Sequence, residues 1–179
     1  MGYVIQTSRL GLRNWQESDA VPFAKMNSDI AVMEYFPSIL TREESDQLLD
    51  RLQQHYIDFG YTYFAVDVLE TGKFIGFTGF KLQTYESPFT PAVDIGWRLK
   101  KSAWGKGYAT EAAQACVDVA FSRFDLAELF SICSVVNVPS EHVMKKIGMT
   151  YVQHFEHPAL VDYPAIKECV VYRKRLKSQ

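Results

Sequence analysis

A short glycine-containing segment, residues 104–108 (WGKGY), limits what this chain can fold into. Apolar and polar residues alternate over residues 93–99, which predicts a strand before it, and apolar residues at helical spacing over 110–124 predict a helix after it. Backbone N–H groups at a tight turn, together with the positive end of a helix dipole, suit an anion such as a pyrophosphate. A tight turn without a ligand also uses glycines, so both interpretations stay open here.

Two known phosphate-binding motifs do not fit this segment. The P-loop needs a Gly-Lys-Ser/Thr sequence that the chain lacks. The dinucleotide turn needs Gly or Ala where Thr110 stands, and its first strand is continuously apolar, whereas this strand carries Asp94 and Arg98. A dinucleotide-dependent oxidoreductase is therefore the less favoured alternative.

Strands and helices follow one another irregularly along the rest of the chain. Because several strands arrive as hairpins, the order predicts an α+β (mixed α/β) fold, not a doubly wound one, in a single domain of residues 1–179. The predicted strands lie near residues 9–13, 61–69, 74–82, 93–99, 129–136, 149–157 and 166–175, and the predicted helices lie within 17–33, 41–60, 110–124 and 140–147.

Composition narrows the class of protein. The formal net charge of −2 predicts no nucleic-acid partner. The absence of a long apolar run predicts no membrane span. The three cysteines form no CxxC pair, and the four histidines are not clustered, so we expect reduced thiols, a cytoplasmic protein and no metal site. Composition does not distinguish a monomer from a homodimer.

Two further patterns resemble the GNAT superfamily of N-acetyltransferases, in its RimJ/RimL-like branch. One resembles the acyl-CoA motif and the other the Asn-x-x-Ser helix motif, and two shorter segments extend the likeness over nearly the whole chain. The matching segments are 94–99 (DIGWRL) with 104–112 (WGKGYATEA), 137–140 (NVPS) with 143–149 (VMKKIGM), 7–13 (TSRLGLR), and 74–76 (FIG).

The resemblance implies the GNAT fold and a binding place for acetyl-CoA. The fold is a mostly antiparallel, centrally splayed sheet of seven strands flanked by helices. In this fold CoA is expected to lie between the strand ending at Leu99 and the strand ending at Val136. The residues that the resemblance assigns to acetyl-CoA binding are Trp97, Leu99, Trp104, Gly105, Lys106, Gly107, Tyr108, Ala109, Thr110, Asn137, Ser140 and Lys145.

The implied reaction is acetyl transfer from acetyl-CoA to a primary amine, on a small molecule or a protein N-terminus, by direct attack in a ternary complex. Many members use a tyrosine acid where Met144 stands, and Met144 has no proton to donate. The resemblance gives that role to Ser140, whose position also suits a helix N-cap. Asp94 and Glu156 are candidate bases, or plain strand carboxylates. A non-catalytic acyl-CoA-binding sensor or scaffold remains the alternative.

Overall fold

Eight strands form one sheet in the computed structural model, which describes residues 2–175. Residue 1 and residues 176–179 of the predicted domain lie outside the described part. The strand order is β1-β2-β3-β4-β5-β6-β8-β7. The strands are β1 (Ile5–Gln6), β2 (Leu10–Arg13), β3 (Tyr63–Val68), β4 (Lys73–Gln83), β5 (Ala92–Leu99), β6 (Glu128–Ser134), β7 (Thr150–Glu156) and β8 (Glu168–Arg175), and the helices are α1 (Ala20–Asn27), α2 (Arg42–Phe59), α3 (Tyr108–Ser122) and α4 (Val138–Lys146).

The predicted strand number of seven is corrected to eight. The additional strand is β1, in which Ile5 lies opposite Leu12 of β2. With only two residues, β1 is too short to show the alternation by which a strand is recognised in a sequence. The predicted mixed, mostly antiparallel character of the sheet is confirmed.

The sheet opens at its centre, between β5 and β6. These two strands are parallel and share one paired position, Asp94 opposite Phe130, whereas the other neighbouring strands are antiparallel. Close by, the Ser131 hydroxyl donates to the Ile95 carbonyl at 2.9 Å, so a side chain takes part in joining the strands. The carboxyl ends of β5 and β6 therefore lie at the same edge with no backbone ladder between them.

The two faces of the sheet carry different helices. Ile95 and Leu99 of β5 pack in the larger core with the buried side of α3, which includes Ala113 and Val117. On the other face, Phe77 of β4 packs in a smaller core with residues of α1 and α2. Because successive strand residues point to opposite faces, β5 presents different side chains to each helical layer.

The ends of α2 follow the predicted signals. The Glu44 N–H donates to the Thr41 hydroxyl at 3.1 Å, and the Thr41 N–H donates to the Glu44 carboxylate at 2.7 Å. Gly60 ends the helix in the left-handed conformation, with φ of 76°. This capping box and glycine stop were both readable from the sequence because they depend only on local contacts.

Candidate active site

The candidate site is the gap between the carboxyl ends of β5 and β6. The turn after β5 leads into α3, and the turn after β6 leads into α4. Two helix N-termini therefore lie at the edge where the sheet opens. Helix N-termini carry unpaired N–H donors and a partial positive charge, so this edge favours an anionic ligand.

The glycine turn before α3 leaves its backbone open. Gly105 and Gly107 have φ of 72° and 78°, in the left-handed region that favours glycine. A Cβ at Gly105 would meet nothing within 4 Å, so this backbone faces open space. The N–H groups of residues 105–110 donate to no acceptor within residues 2–175. The turn thus has the form of a cradle for an anion.

A side chain from the N-terminal segment supports this cradle. Arg9 donates through Nη1 to the Lys106 carbonyl at 3.0 Å and through Nε to the Glu111 carboxylate at 2.7 Å. Its guanidinium lies 4.7 Å from the centre of the Tyr108 ring. Thr7 also donates to Glu111, at 2.6 Å. This pairing could not be predicted from the sequence because the partners are about a hundred positions apart.

The gap is bridged by a contact between two predicted site residues. Trp97 of β5 donates through Nε1 to the Ser140 hydroxyl of α4 at 3.3 Å. Trp97 lies on the same face of β5 as Ile95 and Leu99, toward α3 and α4. The structure therefore brings the indole and the hydroxyl together across the opening in the sheet.

The interpretation of Ser140 as a helix N-cap is corrected. The N-cap of α4 is Asn137, whose side-chain oxygen accepts the Ser140 N–H at 3.2 Å. Pro139 in the first turn favours a helix that begins at Val138, ahead of Ser140. Ser140 is therefore inside the helix, and its hydroxyl is not needed to cap it.

The other residues that were predicted to bind the cofactor differ in their exposure and in their polar contacts. Trp104 is 46% exposed and donates through Nε1 to the Leu99 carbonyl at 2.8 Å, so that carbonyl already has a partner. Ala109 and Thr110 lie in the first turn of α3. Lys145 is exposed and forms an ion pair of 2.9 Å with Glu141, one turn earlier on α4.

Asp94 lies on the opposite face of β5 from Trp97, at the paired position next to the gap. Its carboxylate accepts a hydrogen bond of 2.6 Å from the Tyr63 hydroxyl, to which Gln83 also donates. Burial raises the pKa of Asp94 to about 6, although the bonds from Tyr63 and Gln83 act in the opposite direction. A carboxylate with this pKa is ionised at neutral pH and accepts a proton more readily than an ordinary aspartate.

Glu156 is placed differently from Asp94. It ends β7, the outermost strand, and β8 and β6 separate it from β5. Its carboxylate is exposed and forms an ion pair of 2.7 Å with Lys167. The structure therefore joins Trp97 and Ser140 at the gap, places Asp94 on the opposite face where β5 and β6 are still paired, and leaves Glu156 at the sheet edge.

Aromatic residues that sequence analysis did not assign to the site surround the Asp94 side of the gap. Phe89, in the β4–β5 loop, lies 5.6 Å from Phe130 and 5.0 Å from Phe155, measured between ring centres. Tyr85 lies 4.6 Å from His157 by the same measure. Burial, with the charge of Asp94, raises the pKa of Tyr85. The only signal in the sequence was the aromatic content of this loop.

Among residues 2–175, no group of three or more His, Cys, Asp or Glu is placed to hold a metal ion. No helix in this part of the chain has the length and apolar character needed to cross a membrane.

Comparison with known proteins gives consistent matches. A family model for the acetyltransferase (GNAT) domain matches residues 9–150. The uncharacterized N-acetyltransferase YnaD of Bacillus subtilis is 30% identical over 146 residues, covering 81% of each chain. The uncharacterized protein YkkB of the same organism is 29% identical over 146 residues, which cover 81% of this chain and 84% of YkkB.

Solved structures share the whole fold. A GNAT-family acetyltransferase from Bacillus anthracis superposes with a TM-score of 0.79 at 25% identity, over 96% of this chain and 97% of its own. RimL, a ribosomal-protein α-N-acetyltransferase solved with coenzyme A, superposes with a TM-score of 0.78 over 97% of each chain. Its identity is 18%, so this second likeness concerns the fold alone.

Proposed function

Because the chain belongs to the acetyltransferase (GNAT) domain family, we propose that it transfers an acetyl group from acetyl-CoA to the primary amine of an acceptor. The observation that carries the proposal is the open backbone cradle at the N-terminus of α3, next to a gap in the sheet. Free N–H groups at this position suit the pyrophosphate of acetyl-CoA. The arm that ends in the thioester would then enter the opening between β5 and β6, where Trp97 and Ser140 meet.

The two faces of the gap supply different chemistry. On one face, Asp94 accepts a proton from the acceptor ammonium, which leaves a neutral amine able to attack the thioester carbon. On the other face, the Ser140 hydroxyl donates a hydrogen bond to the sulfur as the carbon–sulfur bond breaks. Because Asp94 and Ser140 lie on opposite faces, acceptor and acetyl-CoA approach from opposite sides. This arrangement supports direct attack in a ternary complex.

The structure gives weaker support to Glu156 as the base and to Lys145 as a CoA-binding residue. An exposed Glu156 already paired with Lys167 is less suited than Asp94 to take a proton from a desolvated amine. Lys145 is held by Glu141 at the exposed side of α4, where it remains a candidate partner for a CoA phosphate. The remaining cofactor residues proposed from the sequence lie at the end of β5, in the glycine turn and first turn of α3, or at the start of α4, and we propose that they contact acetyl-CoA there.

The family branch, the cellular location and the oligomeric state are also proposals. The RimJ/RimL-like branch rests on the Asn137 and Ser140 motif, together with a shared fold. A cytoplasmic location is supported by Cys116, Cys133 and Cys169, all buried free thiols. A monomer and a homodimer both remain compatible with the described residues.

Acetyl transfer to a mixed panel of amines tests the proposal. The protein is incubated with acetyl-CoA and with small amines, polyamines and peptides that have free N-termini. Free CoA thiol is measured with a thiol reagent, and products are measured by mass spectrometry. We expect thiol release that depends on an acceptor, with an acetyl group added to that acceptor. Tight CoA binding with no acetylated amine would instead support the sensor or scaffold alternative.

A further inference from the structure

Arg98 occupies an unusual position on the acceptor face of β5. It lies on the same face as Asp94, because the two residues are separated by an even number of positions. Its Nη1 donates to the side-chain oxygen of Asn27 at 2.8 Å. Its guanidinium carbon lies 4.1 Å from the centre of the Phe36 ring and 5.4 Å from that of Phe77. The side chain is therefore held between two aromatic rings with one of its donors used.

The opposite edge of the guanidinium has no partner. Nε is buried and makes no hydrogen bond within residues 2–175, and Nη2 makes none with the same residues. No described carboxylate forms an ion pair with Arg98. Burial lowers the pKa of Arg98 to about 10, so it remains a cation at neutral pH. A partly desolvated, unpaired cation is unfavourable, which gives the site an intrinsic affinity for an anion.

The free edge has the geometry that recognises oxyanions. Nε and Nη2 point in parallel from a planar group and match the two oxygens of a carboxylate or phosphate. Phe36 and Phe77 restrict the plane of the guanidinium, so the direction of this fork is set before a ligand arrives. Pre-organisation of this kind reduces the entropy lost on binding.

Cationic side chains also line a cavity beyond the end of β5 that carries Arg98. The cavity has a volume of about 580 Å³ and is lined by Lys25, Lys100 and Lys101; Arg98 is not part of its lining. Asp29 is the one carboxylate in its lining. An excess of positive charge attracts anionic groups and repels polycations.

We propose that Arg98 binds an anionic group on the acceptor, so that the preferred acceptors are amines bearing a carboxylate or phosphate. This inference rests on the proposed function, in which Asp94 receives the amine. The Cα atoms of the two residues are roughly 13 Å apart along the strand. The amine and the anion of the acceptor are therefore separated by several bonds, as in a short peptide or an ω-amino acid.

A matched pair of acceptors tests the inference. Triglycine and triglycine amide have the same amine and nearly the same length, and only triglycine has a carboxylate. We expect kcat/KM for triglycine to exceed that for the amide by about tenfold or more, as for a charge-assisted hydrogen bond. Spermidine is expected to be a poorer acceptor than triglycine. A ratio near one in the wild type would overturn the proposal.

Variants of Arg98 assign the discrimination to this side chain. Arg98→Met should reduce the triglycine-to-amide ratio to near one, mainly through a higher KM for triglycine. Arg98→Lys keeps the charge without the fork and should retain part of the ratio. An undiminished ratio in Arg98→Met would overturn the proposal. Arg42→Met is the matched control, because Arg42 is exposed on α2 and pairs with Asp46; it should keep the wild-type ratio.

Asn27→Asp separates ligand binding from a structural role. It has nearly the same shape as wild type but places a carboxylate beside Nη1, so the guanidinium gains an internal anion. We expect a lower triglycine-to-amide ratio with Arg98 still present, which a purely structural Arg98 does not predict. Thermal midpoints of all variants establish that each is folded.

The phosphates of CoA are a second kind of anion that Arg98 could bind. If Arg98→Met weakens CoA or dephospho-CoA binding by about tenfold while the tripeptide ratio is unchanged, Arg98 serves the cofactor and the proposal is wrong. If wild type acetylates no amine, the proposed function fails separately. In that case, binding of the two tripeptides to the CoA-bound protein is measured by calorimetry. A preference for triglycine that is lost in Arg98→Met supports the anion site. Equal affinities for the two tripeptides overturn it.

Discussion

At the scale of single residues, Asp94 shows how burial changes the chemistry of a strand carboxylate. Its pKa is raised from 3.8 to about 6, with desolvation as the largest cause. A raised carboxyl pKa means that the fold favours the neutral form. The associated stability is fully present below pH 3.8 and is lost as the pH rises through about 6. At neutral pH the protein therefore carries a charged, partly desolvated group at a cost in stability.

Asp94→Asn should separate activity from stability. We expect kcat to fall by about 100-fold or more, because the amide cannot accept the proton of the acceptor ammonium. The free energy of unfolding at neutral pH should be unchanged or higher, because the charged group is gone. Steady-state kinetics and urea unfolding of the same preparations check both expectations. Wild-type kcat in the variant would exclude Asp94 as the base.

The pH dependence of the wild type and of Tyr63→Phe tests the same group independently. Wild-type kcat/KM should rise with pH through an apparent pKa near 6, as Asp94 ionises. The Tyr63 hydroxyl lowers the pKa of Asp94 by donating to it, so its removal should move this midpoint upward. An unmoved midpoint would show that another group controls the profile.

Ser140→Ala should affect catalysis with little effect on folding. The side chain loses one hydrogen bond of 3.3 Å from Trp97, and the cap of α4 is kept by Asn137. We expect kcat to fall by roughly tenfold to 100-fold, since the hydroxyl is proposed to donate to the departing sulfur, with a smaller change in KM for acetyl-CoA. The melting temperature should change little.

Asn137→Ala is the complementary variant, because it removes the cap but leaves the hydroxyl in place. It should lower stability by about 1 kcal/mol. Thermal melts and kinetics on both variants give the comparison. If Ser140→Ala keeps kcat within a few-fold of wild type, water or another group assists the thiolate.

At the scale of elements, the glycine turn and the first turn of α3 are joined to the segment between β1 and β2. Arg9 and Thr7 hold Glu111 and the Lys106 carbonyl, so the cradle is fixed from a segment far away in the sequence. The N–H groups then stay directed outward without closing on themselves. This explains how a stretch containing two glycines keeps a defined shape.

Gly107→Val should weaken CoA binding through the backbone. With φ of 78°, this position strains a β-branched residue, and a Cβ there would meet Arg9 Nη2 at 3.6 Å, an ordinary contact. Relief of strain is expected to turn N–H groups away from the cradle and raise the Kd for CoA by at least about tenfold. Calorimetric titration measures this.

Gly72→Val provides the matched control for the cradle variant. Gly72 also has positive φ, 62°, and open space around it, but it lies in the β3–β4 turn. It should lose comparable stability and keep its CoA affinity. Equal CoA affinities in the Gly107 and Gly72 variants would place the phosphate site elsewhere.

At the scale of the whole molecule, the two parts of the sheet are joined by little backbone pairing. β5 and β6 share one paired position, and α3 and α4 pack beside the opening. A ligand that fills the gap would contact both parts at once, and it would bind the native state alone. Binding of this kind stabilises a protein in proportion to the logarithm of ligand concentration.

CoA and acetyl-CoA should therefore stabilise the protein, and NADH should not. At 100 times its Kd, the cofactor is expected to contribute about 2.7 kcal/mol, visible as a higher melting temperature. Differential scanning fluorimetry with CoA, acetyl-CoA and NADH at equal concentrations measures the shifts. An equal shift with NADH, or none with CoA, would contradict the proposed cofactor.

The sequence by itself determined the features that depend on near neighbours. These features involve contacts within a few residues, so the sequence pattern is enough to predict them. They are the capping box at Thr41 and Glu44, the glycine stop at Gly60 and the glycine turn before α3. The mixed sheet followed from the order of hairpins and helices. Motif resemblance supplied the family, because the two motifs stand in register with each other.

Only the tertiary structure decided which distant residues meet. The sequence did not show that Trp97 meets Ser140, that Tyr63 binds Asp94, or that Arg98 keeps one edge unpaired, because each depends on how strands and helices pack in three dimensions. The same holds for the desolvation that raises the pKa of Asp94. Burial and pairing across the sheet are properties of the folded molecule. They give the two faces of β5 different chemical surroundings, which the alternating sequence of the strand does not specify.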